Sequence, residues 1–474
     1  MFQWLFTLVR WIWIGFLNLI TLGLLGFVIT QTLGYFAIDG VDPNLAFLGI
    51  FAFRYTRVII HSIAYFCYRP APVQAKPRYT ARDVTVVVPT VTPDSRDFIE
   101  TIAGICRNEP HTITVVTVGP QREAEAARNL ALLRHQYPQV NIRITQVQEA
   151  NKRVQIAHAA ADIETPITFL VDASVFWGPS FLTSALAAFE DATVYLVGTN
   201  KRVQVSTRDN LSRLVPFGFI FNFFGSTYLG RHNFEIRATN TVDGGLFAVS
   251  GRTMGIRSDF LRDAAVMKGF REEKVSSFLG RFVPKVFNKP LLPDDDNYLT
   301  RQVVKAGKKV KIQYTEDARV EIAAQFTYPR YFSQCFRWAR STFRSNCALL
   351  ITERSVYGTQ GWSVYAVYIN GMVNFALFCD ATLIYLLSRS DYSQSWPLLL
   401  LWIMVSKMIK LIPYFILNPR DLVFFPVYVL FAYMHSFIKL IALFTFYSAE
   451  WSGRDLAAVQ GTTTLPPPLT PRCS

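Results

Sequence analysis

Residues 11–36 form an apolar run without a single charged side chain, and mostly apolar runs recur over 45–68, 362–387, 396–417 and 424–447. Each has about 20 residues or more, the length that carries a helix across a bilayer core. Backbone surrounded by lipid must close its own hydrogen bonds, so these segments are committed to helix. The first run exceeds the roughly 7–15 residues of a secretory signal core and ends without a small-residue cleavage site, so it is expected to be retained. The second carries Arg54, Arg57 and His61. A charge at mid-bilayer costs about 3 kcal/mol, so this helix is expected to pack against others. Arg69, Lys76, Arg78 and Arg82 follow it and mark that side as cytosolic.

With 51% hydrophobic and 17% charged residues, the composition excludes an ordinary soluble enzyme. The net charge of +14 is spread along the borders of the apolar runs rather than gathered in one block. That pattern excludes nucleic acid as the anionic partner and favours membrane lipid and nucleotide phosphates. The 6 cysteines form no C-x-x-C pair, so neither a disulfide framework nor a zinc site is expected.

Between the apolar runs the period changes. Residues 69–80, with Pro70, Pro72 and Pro77, read as a linker. Val84-Thr85-Val86-Val87-Val88 has the β-branched character of a buried parallel strand, ended by Pro89-Thr90. Helices over 97–107, 123–135 and 152–161 then alternate with strands over 113–118, 141–146 and 167–171, which predicts an α/β doubly wound sheet. The expected division is a membrane hairpin over 1–68, the linker over 69–80, the α/β domain over 81–325, an amphipathic interface helix region over 326–360, a membrane bundle over 361–450 and a tail over 451–474.

Four groups of residues could carry chemistry. Asp172 follows the strand Phe169-Leu170-Val171, where such sheets collect ligands, and could meet a nucleotide or a divalent metal; it could equally cap the next helix. Lys152 and Arg153 open a helix, a combination suited to phosphate or to plain solvent. Asp294, Asp295 and Asp296 precede a helix expected over 298–306. Crowded carboxylates raise one another's pKa, which makes a general base near neutral pH, although an acidic helix cap reads the same way. Gln334, Arg337 and Trp338 stand at i, i+3 and i+4 and share one helix face, with an Arg fork for diphosphate and an indole plane for a sugar ring. An interfacial tryptophan is the competing explanation.

An apolar strand ending in aspartate, an aspartate-rich tip before a helix, and Gln334-Cys335-Phe336-Arg337-Trp338 leading into apolar runs together resemble the processive family 2 glycosyltransferases. Those are the hyaluronan, chitin and cellulose synthases, and the hyaluronan-synthase type and its fungal relatives look nearest. Trp451-Ser452-Gly453-Arg454 is similar to a signature near the end of those enzymes. The resemblance implies a GT-A-type cytosolic domain inserted between transmembrane helices of a plasma-membrane protein. It implies inverting transfer from a UDP-sugar to a polysaccharide acceptor, assisted by Mg2+ or Mn2+. Pro89, Thr90, Lys152, Arg153, Asp172, Gln334 and Arg337 would hold the nucleotide sugar; Trp338, Ser250 and Gly251 would hold the acceptor. Asp294 to Thr300 matches the base-bearing pattern in register, which puts the base at Asp296, supported by Asp295, and rejects the cellulose-synthase-like Thr315-Glu316-Asp317. Three departures stand out. Asp-x-Asp is here Asp172-Ala173-Ser174, so the metal set is Asp172 with a hydroxyl at Ser174; the early acidic residue is absent from the end of the second strand; and Asn297 replaces an arginine. Transfer of one sugar to a lipid, or an inactive scaffold, are the alternatives.

Overall fold

The structure is a computed structural model that describes residues 42–204, 218–323 and 328–449. The first apolar run, the 451–454 signature and the tail therefore lie outside the described residues. In chain order the principal elements are α1 (Pro43–Cys67), β1 (Val84–Pro89), α2 (Arg96–Cys106), β2 (Thr112–Val118), β3 (Asn141–Val147), α3 (Lys152–Ala160), β4 (Ile167–Val171), β5 (Val175–Trp177), β6 (Val194–Thr199) and β7 (Lys201–Val203). There follow α4 (Gly218–Asp243), β8 (Thr253–Arg257), α5 (Asp295–Lys305), β9 (Lys309–Gln313), β10 (Val320–Ile322) and α6 (Tyr328–Cys347). The apolar elements are α7 (Gly361–Val373), α8 (Ala376–Ser388), α9 (Trp396–Ile409), α10 (Ile412–Leu417) and α11 (Phe425–Thr445).

A seven-stranded mixed sheet runs in the order β3-β2-β1-β4-β8-β6-β9, with β8 antiparallel to both β4 and β6. Successive side chains of a strand face opposite ways, and here both faces are covered. Val84, Val86 and Val88 join Phe98, Ile102 and Ile105 of α2 on one side; Val87 joins Ile156 and Ala159 of α3 on the other. Each such side chain contributes about 1.5–3 kcal/mol on burial. Gly255 is set by this core, because a Cβ there would meet Phe169 Cζ at 2.8 Å. The expected doubly wound α/β domain is therefore present. The sequence pattern missed α4 entirely, along with a small second sheet in the order β5-β10-β7.

Among the described residues, two helices are long and apolar enough to cross a membrane: α1, and the stretch Pro419–Thr445 that contains α11. The expected straight span over 362–387 is instead two helices, α7 and α8, bent by 91°. The span expected over 396–417 is divided into α9 and α10, beside Pro413, whose ring cannot continue the hydrogen-bond ladder. The charges on α1 are paired as expected of a helix packed on others: Arg54 contacts Asp380 of α8 at 2.7 Å, and His61 meets Glu235 of α4 at 2.7 Å.

Candidate active site

The carboxyl ends of β1 and β4, the start of α3, the start of α5 and one face of α6 surround a cavity of about 570 Å3. On α6 the lining residues Gln334, Arg337, Trp338, Ser341 and Thr342 repeat at three and four residues, so the helix lays one stripe along the cavity. Pro89, Thr90, Lys152, Asp172, Ser174, Ser250, Gly251, Asp295 and Asp296 line it too. Sequence positions from 89 to 342 thus converge on one site.

The three aspartates have three different fates. Asp294 is left-handed, with φ 66°, and its carboxylate is buried against Arg344 at 2.8 Å and Ser341, which ties the acidic tip to α6. Asp295 accepts from Lys152 Nζ at 2.9 Å. Burial favours its neutral form, but the charge and hydrogen bond of Lys152, together with the charge of Arg153, hold its pKa below the usual range. Asp296 has no cation at bonding distance among the described residues; Gly251 N–H donates to its Oδ2 at 2.8 Å and Asn297 N–H to its Oδ1 at 2.9 Å. Burial, then the charge of Asp295, push its pKa up to about 6 against the Gly251 hydrogen bond. That is the range in which a carboxylate can collect an acceptor proton near neutral pH. Gly251 makes the approach possible, since a Cβ there would sit 3.2 Å from Asp296 Cβ and 3.3 Å from Lys152 Nζ.

At the other end Lys152 Nζ also lies 2.8 Å from Asp172 Oδ1 and 3.4 Å from Gly251 O. Burial opposes its charge, yet the two carboxylates raise its pKa. Gln155 of α3 donates to the carbonyls of Thr90 at 3.0 Å and Val116 at 2.8 Å, which fixes the loop after β1. Arg153 is a correction. Its side chain turns away from the cavity into the scaffold and is fully buried, donating to Phe270 O at 2.7 Å, Glu273 at 2.7 Å and Pro293 O at 2.8 Å. It holds the loop that carries the aspartates and, unlike Lys152, does not line the cavity.

The Asp172 corner does not fit a divalent ion. Asp172 is committed to Lys152, Ser174 offers a neutral hydroxyl where a second carboxylate would ligate, and Asp295 is committed to the same ammonium. Among the described residues no three His, Cys, Asp or Glu come together as a metal cluster. Hard divalent cations require several oxygen ligands, charged ones above all.

Trp338 stacks on Tyr228 of α4, with ring centroids 4.6 Å apart and 21° between planes, so one indole face is covered. The rejected Asp317 accepts from Ser180 at an exposed position and does not line the cavity. Sequence reasoning missed Asp97 in the first turn of α2, together with Lys201, His232 and Arg252, all of which line the cavity. Asp97 brings a carboxylate to the cavity although the second strand ends without one. Arg252 was within reach, being the next residue after Ser250 and Gly251. Lys201 and His232 sit in the parts of the chain whose pattern was least regular. Burial first, then the charge of Arg252, lower the Lys201 pKa to about 7.

Comparison with known proteins decides the family. Residues 81–341 match the family described as Glycosyltransferase like family 2, more than half of the chain. The chain belongs to the family 2 glycosyltransferases. It is 32% identical over 416 residues to a type 2 glycosyltransferase of Gibberella zeae, covering 86% of this chain and 75% of that protein. A type 2 glycosyltransferase of Pyricularia oryzae is 33% identical over 421 residues, covering 86% and 82%. Among solved structures, the mannosyltransferase PcManGT of Pyrobaculum calidifontis, in complex with GDP-Man and Mn2+, aligns at 14% identity with a TM-score of 0.42, covering 77% of this chain and 98% of that one. As a member of that family, this glycosyltransferase has a GT-A-like α/β fold with a mixed sheet.

Proposed function

We propose that this enzyme transfers sugar from a nucleoside diphosphate donor, of the UDP-sugar class, to the end of a β-linked polysaccharide that leaves through the helix bundle. One observation carries the reading. A second cavity of about 330 Å3 lies among α1, α4, α7, α9 and α11, and shares Tyr228, His232, Phe247, Trp338 and Thr342 with the catalytic cavity. Transfer to a soluble acceptor needs no passage between apolar helices at that point. The α/β domain faces the cytosol, and α1, α11 and the bent α7–α8 pair are the membrane elements of a plasma-membrane protein.

The nucleotide lies along Pro89, Thr90 and Asp97, with its diphosphate toward Lys152, Arg252 and Arg337. Trp338 offers its open face to the acceptor sugar. The acceptor hydroxyl oxygen forms the new bond to the anomeric carbon as its proton passes to Asp296. The bond from that carbon to the diphosphate oxygen breaks on the opposite face, and its electron pair leaves with the nucleotide. A single displacement of this kind inverts the anomeric centre. Fixed cations at the departing oxygens act in a site shielded from water, where they are worth most.

The bundle cavity is also lined by Arg54, Arg57, Arg231, Lys407, Lys410 and Lys439. This favours a second reading, transfer of one sugar to a lipid phosphate. Incubation of the detergent-purified protein with radiolabelled UDP-sugars, followed by sizing of the products, separates the two. The proposal expects long chains. A single labelled sugar in the lipid phase would establish the second reading, and no product with any donor would favour an inactive scaffold.

A further inference from the structure

We propose that the ammonium of Lys152 takes the charge-neutralising role of a divalent cation, so that this enzyme binds its donor and transfers sugar without a metal. The inference rests on the nucleotide-sugar reading and names the cation that this site uses. The geometry supports it at three points. Two carboxylates placed to ligate an ion, Asp172 after β4 and Asp295 at the start of α5, are bridged by one ammonium at 2.8 and 2.9 Å. The position that would add a third charged oxygen is the neutral hydroxyl of Ser174. Finally, Gly251 presents its carbonyl to the same ammonium at 3.4 Å, and a Cβ there would press on Lys152 Nζ at 3.3 Å.

An ammonium so placed repels a divalent ion from the two carboxylates it bridges. It also meets the chemical need. As the sugar–phosphate bond breaks, negative charge grows on the diphosphate oxygen, and Lys152 donates to it while remaining bonded to at least one carboxylate. Arg252 and Arg337 line the same cavity and add positive charge. No proton has to move at this end of the reaction, because the acceptor proton goes to Asp296 and the diphosphate departs as the anion.

The test uses the full chain in detergent and calorimetric titration with UDP and with GDP, in EDTA and in Mn2+, alongside Mn2+ binding followed by electron paramagnetic resonance. The expected result is a nucleotide affinity that differs by less than about twofold between the two media, with no Mn2+ bound at this site. Lys152→Gln should weaken nucleotide binding by about 10–100-fold, the worth of a hydrogen bond to a charged group, while Lys152→Arg restores most of it. Adding Ser174→Asp to Lys152→Gln should create Mn2+ binding and make nucleotide affinity depend on the metal, which a purely structural Lys152 would not do. Mn2+ that binds the wild-type protein and tightens nucleotide binding about tenfold or more overturns the proposal. If neither nucleotide binds in either medium, the nucleotide-sugar reading itself fails and takes this inference with it.

Discussion

Two ends of one cavity treat carboxylates in opposite ways. At the proposed donor end, Asp172 and Asp295 both pair with the Lys152 ammonium, at 2.8 and 2.9 Å. At the acceptor end, Asp296 is the neighbour of Asp295 in sequence, yet it has only backbone N–H donors within 3 Å, and burial raises its pKa to about 6. The same residue type is thus paired with a cation at one end and, in the proposed mechanism, accepts a proton at the other. Whether a buried cation stands beside it decides which.

The largest disruption of this contrast should come from behind the cavity. Arg153→Ala leaves the half-buried Glu273 with Arg301 as its remaining arginine partner and frees the Pro293 loop, so we expect a loss of about 3 kcal/mol in stability, read as a large drop in unfolding temperature. Gly251→Ala acts directly on the base by pushing Asp296, and transfer should fall by about 10–100-fold with little change in unfolding temperature. The rate should also report Asp296 through pH. A base must be ionised, so the rate is full above its pKa and falls about tenfold per unit as pH drops below 6. Stability has the opposite sign. Because the folded pKa is raised, the penalty is absent at low pH and appears as pH rises through 6, so Asp296→Asn should raise the unfolding temperature at neutral pH. The smallest effect should be at Trp338. Its Tyr228 stack holds the ring, and Trp338→Ala should raise the acceptor KM several-fold, worth about 1 kcal/mol.

The alternation of β-branched runs with helices made the sheet readable, since its strands are buried on both faces and short in sequence separation. The face of α6 was readable because Gln334, Arg337 and Trp338 keep the helical period. Lys152 and Arg153 look alike in the sequence, and only the packing of α3 sends one to the cavity and the other to the scaffold. The helix α4 was hidden because glycine, asparagine, threonine and arginine interrupt its apolar residues on every face. The second sheet was hidden because its three-residue strands come from positions 175–177, 201–203 and 320–322. The bend between α7 and α8 falls at Asn374 and Phe375, where no proline or glycine announces it.

The central claim is that Asp296 is the base and that the better-spelled Asp317 is not. It is tested most directly by measuring transfer from UDP-sugar in Asp296→Asn and Asp317→Asn side by side, in protein of matched folding. Loss of general-base catalysis should cost Asp296→Asn about 100-fold or more, and Asp317→Asn should match the wild type. An active Asp296→Asn beside an inactive Asp317→Asn would contradict the account.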